Sequence, residues 1–273
     1  MVIISRDHKA IAYNENKKYF EEKTIENHDK VYFPISGFIN NINDLYIVSE
    51  YENGIKSKLV KNDNFLNIGT FNPASIFCGS VNCAAIDLKG AILCESSSFN
   101  DESFILIEPK YLPNNEKAVD IACLSSFLYV LSSSGKLHKS KNANSFTQVE
   151  QFKKINIVQI SGILNHILLL TEDGKVYSKG TNSYGELGMG DKKDSLKEFI
   201  EITSLNKYKI TAVSAGPKHS LFLTSEGKEL ACGDNKSKQC FYDNSINSIL
   251  LPVETSIRSR GEFCISSHNS AFY

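Results

Sequence analysis

Short apolar runs, each followed by a polar turn and a second short run, recur along the whole chain. The clearest pair comprises residues 166–190, HILLLTEDGKVYSKGTNSYGELGMG, and residues 219–241, HSLFLTSEGKELACGDNKSKQCF. In both copies a histidine begins an apolar run, a glycine follows eight residues later, and a second run leads to a Gly-x-Asn turn. Such runs predict β-strands, and repetition at this period is typical of propellers, solenoids and arrays.

Weaker copies of the unit extend the pattern towards both ends of the chain. The eight-residue spacing recurs in Asn82 with Gly90, Phe127 with Gly135, and His8 with Asn16. Anchors at 8, about 45, 82, 127, 166, 219 and 268 give spacings of roughly 37 to 53 residues, the size of one propeller blade. The pattern therefore predicts an all-β, single-domain β-propeller over residues 1–273, with seven blades or, as the alternative, six.

The predicted repeats divide the chain into six nearly whole units and one partial unit. Their bounds are about 1–30, 31–73, 74–117, 118–155, 156–209, 210–260 and the partial 261–273. A propeller can complete one blade from both ends of its chain. We therefore expect the ring to be closed by pairing of the N-terminal and C-terminal strands, with residues 261–273 beside residues 1–20.

Composition narrows the class of protein. Hydrophobic residues make up 41% of the chain, enough for a substantial core, and no apolar run approaches a bilayer-spanning length. The first residues offer no signal-peptide core, and the seven cysteines are odd in number and scattered. These features predict an intracellular protein, cytoplasmic or nuclear. A net charge of −1 removes the simplest electrostatic case for nucleic-acid binding.

Histidines and glycines at repeated positions are the first candidates for chemistry. Imidazole is a common metal ligand and general base, but one histidine per blade at the same position favours a structural role, bonding backbone groups of a neighbouring turn. This role is predicted for His8, His166, His219 and His268, and a turn role for Gly90, Gly135, Gly174 and Gly227. No metal-binding spacing, phosphate-binding loop or nucleophile elbow occurs, so neither catalysis nor a cofactor is predicted.

Four sequence strings carry a family resemblance. They are SAGPKHS (214–220), LTSEG (223–227), LTEDGKVY (170–177) and GTNSYGELGMG (180–190). On these strings the chain resembles the RCC1 repeat family, named for the chromatin-bound exchange factor of the GTPase Ran. The resemblance implies an RCC1-like β-propeller. A tryptophan often found before the glycine of the third strand in that family is replaced here by Lys179 and Cys232.

Charged residues after the most specific string are the candidate binding loops. The segment 191–209 is the longest excursion between anchors, and long loops on rigid scaffolds often carry binding. The candidates are Asp191, Lys192, Lys193, Asp194 and Lys197, with Lys236 and Lys238 at the equivalent turn one blade later. The two turns are expected to form one basic spot on a face.

The sequence thus predicts a monomeric, non-enzymatic scaffold that binds a protein or larger macromolecular assembly through one loop face. No membrane or nucleic-acid partner is indicated. The alternative, implied by the family resemblance, is a guanine-nucleotide exchange factor for a Ran-like small GTPase.

Overall fold

The computed structural model consists of β-strands distributed along the chain. It describes side chains in residues 84–94, 110–125, 127–141, 145–242 and 246–256, and elsewhere mainly the backbone of strands. Three 3-10 helices occur in these described parts: Pro113–Asn115, Glu150–Phe152 and Thr203–Leu205. No helix in the same parts is long and apolar enough to cross a bilayer.

The first three sheets are antiparallel and follow one another in the chain. The first sheet contains β1 (Val2–Ile4), β2 (Lys9–Asn14) and β3 (Tyr19–Thr24). The second contains β4 (Val31–Ile39), β5 (Leu45–Tyr51), β6 (Lys56–Lys61) and β7 (Asn64–Phe65). The third contains β8 (Pro73–Cys78), β9 (Cys83–Asp87), β10 (Ile92–Ser96) and β11 (Ile105–Leu106).

The next three sheets repeat the same four-stranded meander. The fourth contains β12 (Ala118–Leu124), β13 (Leu128–Ser132), β14 (Leu137–Ser140) and β15 (Thr147–Gln148). The fifth contains β16 (Ile157–Leu164), β17 (His166–Thr171), β18 (Val176–Gly180) and β19 (Ser195–Glu201). The sixth contains β20 (Ile210–Ala215), β21 (His219–Thr224), β22 (Glu229–Asp234) and β23 (Ser248–Glu254), and a hairpin of β24 (Phe263–Ile265) and β25 (Ser270–Phe272) follows.

Where the structure describes side chains, the core lies between successive sheets, and the fifth sheet is buried on both faces. Along β17, Ile167 and Leu169 belong to the apolar cluster shared with the fourth sheet. Their neighbours Leu168 and Leu170 belong to the cluster shared with the sixth sheet. Successive strand residues point to opposite faces, so burial of both faces explains why this strand is continuously apolar. This is the stacking of propeller blades around an axis.

The first strands of neighbouring sheets are tied together by polar side chains. The Gln159 amide accepts from Val213 N at 2.9 Å and donates to Val213 O at 3.1 Å. Asp120, at the equivalent position one sheet earlier, accepts from the backbone N–H of Ile160. Burial raises the pKa of Asp120 to about 7, although its backbone hydrogen bonds oppose that shift.

The first strands of the second to sixth sheets share a β-bulge after their first residue. The register shifts occur at Val31/Phe33, Pro73/Ser75, Ala118/Asp120, Ile157/Gln159 and Ile210/Ala212. A bulge increases strand twist and re-aims the following side chain. In the fourth and fifth sheets it directly precedes Asp120 and Gln159, both of which bond to the next sheet.

The repeated meanders form an all-β propeller, as the sequence predicted. The fourth and fifth sheets are joined by a short parallel pairing of Cys123 with Ile163 and Leu124 with Leu164. Among the described strands, the first sheet and the C-terminal hairpin form separate ladders. Closure by both chain ends, the number of blades and the repeat boundaries therefore stay predictions.

Candidate interaction surface

The two ends of the sheets carry different kinds of connection. At one end lie the tight turns between second and third strands, with Gly90, Gly135, Gly174 and Gly227 at φ of 81°, 76°, 83° and 74°. At the other end lie residues 181–194, 216–218 and 235–242, which we call the loop face. Glycine adopts these positive φ angles without the strain that a Cβ would add.

The tight turns share a polar residue that the sequence analysis missed. Three residues before each glycine stands Asp87, Ser132, Thr171 or Thr224, whose carbonyl accepts from the glycine N–H at 2.9 to 3.0 Å. Its side-chain oxygen also accepts from the backbone N–H four residues on, at 2.8 to 3.2 Å. The signal was present in the sequence as an Asp, Ser or Thr at a fixed distance before each glycine.

Asparagine organises both long loops of the loop face. Asn182 is buried; its Oδ1 accepts from Leu187 N at 2.9 Å and its Nδ2 donates to Asp191 O at 3.0 Å. Asn235 does the same in the next sheet, donating from Nδ2 to Tyr242 O at 3.0 Å and accepting from Cys240 N at 3.3 Å. These bonds fix the Gly-x-Asn turns as rigid loops.

The histidines of the repeat lie where each second strand leaves the loop face. His166 pairs with Gly180 and His219 with Gly233, and both imidazoles are buried. His166 Nε2 lies 3.0 Å from Ser220 Oγ, and Ser220 donates to Glu186 O at 2.7 Å. The sequence predicted a direct bond from the histidine to the backbone of a neighbouring turn. In the structure His166 bonds to Ser220, and Ser220 in turn bonds to that backbone at Glu186 O. His8 and His268 lie outside the described residues.

The carboxylates of the loop face accept hydrogen bonds from backbone N–H groups of their own loop. Asp194 Oδ1 accepts from Asn182 N at 2.8 Å, and Asp191 Oδ1 accepts from Lys193 N at 3.0 Å. Glu186 is buried and accepts from Tyr184 N at 2.7 Å. Burial raises the pKa of this carboxyl group. Glu186 and the half-buried Asp191 therefore stabilise the loop from within, whereas the exposed side chain of Asp194 also adds negative charge to the outer surface.

The lysines of the loop face point outward. Lys192 Nζ reaches Ser248 Oγ at 3.2 Å, and the side chain of Lys193 is exposed. Lys238 is also exposed and has a φ of 61°. The structure separates Lys197 from this group: residues 195–201 form the outer strand β19, so only residues 191–194 of the predicted long loop belong to the loop face.

Tyr184 brings two of the loops together. The ammonium group of Lys218 lies 4.9 Å from the Tyr184 ring centroid and that of Lys236 lies 5.9 Å from it. Both distances allow cation–π attraction, which is about 0.5–1 kcal/mol at exposed sites. Lys218, which the sequence analysis missed, directly precedes His219 and could have been found from that position. The result is an aromatic ring from one loop flanked by exposed cations from two others.

Comparison with known families is consistent with this geometry. The model of the Regulator of chromosome condensation (RCC1) repeat matches residues 173–223, and a second model of that description matches residues 157–186 and 210–239. The chain is 31% identical over 127 residues to mouse E3 ubiquitin-protein ligase HERC2, and the aligned region covers 45% of this chain and 3% of the ligase. It is 33% identical over 93 residues to dog X-linked retinitis pigmentosa GTPase regulator, and this region covers 34% of the chain and 9% of the regulator.

Solved structures share the fold at low sequence identity. Human WBSCR16 superposes with a TM-score of 0.59 and 13% identity, covering 78% of this chain and 65% of that one. Prp20p from Saccharomyces cerevisiae superposes with a TM-score of 0.56 and 13% identity, and the match covers 78% of this chain and 59% of Prp20p. The structure of Prp20p was determined together with a study of its binding to Gsp1p and histones. The chain thus spans less than two thirds of each of these relatives and structures.

Proposed function

We propose that this chain, an RCC1-like β-propeller, is a non-enzymatic interaction module that binds a macromolecular partner through its loop face. The observation that supports the proposal is the group formed by Tyr184, Lys218 and Lys236. Aromatic residues can anchor protein interfaces, and exposed charges at a rim direct association and specificity. An intracellular location and a monomeric state stay predictions.

The chemistry of the loop face favours an acidic partner surface. Asp191, Asp194 and Glu186 accept from backbone N–H groups within the loop. Three lysines, Lys193, Lys218 and Lys236, are exposed, and of the three carboxylates only that of Asp194 is exposed beside them. Complementary charge on the partner would accelerate association and make binding weaken with added salt. Asn182 and Asn235 brace the loops that carry Lys193 and Lys236, so little ordering of these two loops is required on binding.

Charge reversal on one end of the propeller tests the proposal. The full chain is used as bait for affinity capture and mass spectrometry, beside the variant K193E/K218E/K236E. The matched control K207E/K209E/K228E places the same charge change at the end that carries the tight turns. The proposal expects partners to be lost from the loop-face variant and retained by the control. Partners retained by both variants, or lost equally from both, would contradict it.

A second candidate function is nucleotide exchange on a small GTPase. It is favoured by the similarity to a protein named as a GTPase regulator. Such an activity needs a projecting surface that distorts the phosphate and Mg²⁺ region of the GTPase rather than a nucleophile, and residues 181–194 are the candidate. Release of labelled GDP from Ran measures it directly. No acceleration at micromolar protein would exclude the activity on that GTPase, whereas acceleration that K193E/K218E/K236E abolishes would support it.

A further inference from the structure

A groove of about 360 Å³ lies between the fourth and fifth sheets, separate from the group around Tyr184. Strands β13, β14, β18 and β19 contribute to its walls, together with the segment after β15. It is lined by Tyr129, Lys139, Val149, Gln151, Lys179, Lys197, Glu198 and Phe199. This volume is within the range of ligand-binding clefts in proteins.

The floor of the groove is rigid and aromatic. Tyr129 meets Phe199 edge to face, with 5.7 Å between ring centroids and 82° between planes. The Gln151 amide holds the backbone of Phe199 from both sides, donating to its carbonyl at 2.7 Å and accepting from its N–H at 3.1 Å. A floor fixed in this way is formed before any ligand arrives, which lowers the entropic cost of binding.

The rim of the groove carries three lysines and one glutamate. Lys179 Nζ donates to Lys197 O at 3.0 Å and lies 5.2 Å from the Phe199 ring centroid. Burial lowers the pKa of Lys179 and the nearby charge of Lys139 lowers it further, while the charge of Glu198 opposes the shift. None of the ion pairs between described side chains includes Lys139, Lys179 or Lys197. A bound anion would relieve this repulsion.

We propose that this groove binds an acidic peptide segment of a partner protein, with a carboxylate held among the ammonium groups of Lys139, Lys179 and Lys197. The aromatic floor would contact the aliphatic part of the glutamate or aspartate side chain. Because Glu198 also lines the groove, a singly charged carboxylate suits it better than a doubly charged phosphate.

The outer strand β19 favours a peptide over a small anion. It is the last strand in the order of its sheet, and a peptide can align with such an edge. Leu196 and Ile200 on this strand are 63% and 40% exposed, so a peptide that follows the strand finds apolar side chains outside the groove as well. The site is independent of the loop face, and its failure would leave the proposed function untouched.

Fluorescence anisotropy with a labelled, glutamate-rich peptide tests the groove on the full chain. We expect saturable binding that weakens with added salt and that falls by up to about fivefold in K179Q and in K197Q, since one exposed ion pair contributes up to about 1 kcal/mol. K197Q keeps the proposal testable if K179Q perturbs the floor, because Lys197 is exposed. The controls are K153Q, for an exposed lysine outside the lining, and K218Q/K236Q, for the loop face.

Each outcome decides the proposal. Loss in K179Q and K197Q with wild-type affinity in both controls supports it. Absence of binding by the wild-type chain, unchanged affinity in the groove variants, or loss only in K218Q/K236Q would overturn it. A matched peptide with phosphoserine in place of glutamate is run in parallel, and stronger groove-dependent binding of that peptide would overturn the choice of a carboxylate ligand.

Discussion

The imidazole of His166 lies 3.0 Å from the hydroxyl oxygen of Ser220, which belongs to the next sheet. Ser220 has one hydroxyl hydrogen and donates it to Glu186 O at 2.7 Å, so His166 Nε2 carries the hydrogen that joins the two side chains. The repeat histidine therefore connects its own sheet, the following sheet and the loop that contains Tyr184.

Replacing Ser220 by alanine should destabilise the protein. S220A leaves the buried Nε2–H of His166 and the carbonyl of Glu186 without this partner, which costs about 1–3 kcal/mol. Urea unfolding of the full chain measures the change. The control is S133A, because Ser133 is exposed in a tight turn and its substitution should change stability little. Equal stability of S220A and wild type would contradict the role given to this bond.

His166 should make the protein less stable in acid. Burial lowers its pKa from 6.5 to about 3, and the nearby charge of His219 contributes in the same direction. Between those values the unfolded chain binds a proton that the folded chain does not, so stability falls as pH decreases through this window. The wild-type chain should take up about one more proton on unfolding in this window than H166N does. The slope of the unfolding free energy against pH should therefore be smaller in H166N. An identical slope of unfolding free energy against pH in H166N and wild type would refute this.

Asp120 should produce the opposite pH dependence. Its pKa rises from 3.8 to about 7, so the folded protein keeps a proton that the unfolded chain releases, and stability falls as pH increases through that window. D120N removes this loss and should exceed wild type in stability above neutral pH. The matched variant Q159E places a carboxyl group at the equivalent position and should become less stable on the alkaline side. A D120N variant less stable than wild type at alkaline pH would contradict the assignment.

Two glycines should differ sharply in their tolerance of alanine. A Cβ on Gly180, at φ 131°, would lie 2.0 Å from Asn165 O, whereas nothing lies within 4 Å of a Cβ on Gly227. G180A should therefore lose about 3 kcal/mol or more, and G227A about 1–2 kcal/mol from its φ of 74° alone. Thermal unfolding of both variants checks the order, and equal losses would show that the backbone relaxes around Gly180.

Much of the fold could be predicted because each repeat contains residues whose local conformation depends on residue type alone. Gly90, Gly135, Gly174 and Gly227 are spaced for a turn that needs positive φ, and the apolar runs before them are strand-like. The bulge before Asp120 and Gln159 could not be predicted, because it depends on pairing between strands and on the next sheet. His268 and the predicted closure lie outside the residues whose side chains the structure describes, so both stay predictions.

The candidate site was predictable only in part. Lys192, Lys193, Lys236 and Lys238 lie on one face, since equivalent loops of successive sheets emerge at the same end. Lys197 was placed in the same loop, but residues 195–201 form an outer strand that carries it to the groove instead. Charge along the chain does not reveal which lysines converge, because convergence depends on how neighbouring sheets stack.

The sequence by itself determined the repeating strand-turn-strand unit, because turn geometry and strand patterning are local properties that few residue types satisfy. Only the tertiary structure decided which residues meet between sheets. Ser220 reaches His166, Gln159 spans to Val213, and Lys218 joins Lys236 over Tyr184, each across more than fifteen residues of chain. These contacts arise from the packing of one sheet on the next, and that packing is set by the whole apolar interface rather than by any local motif.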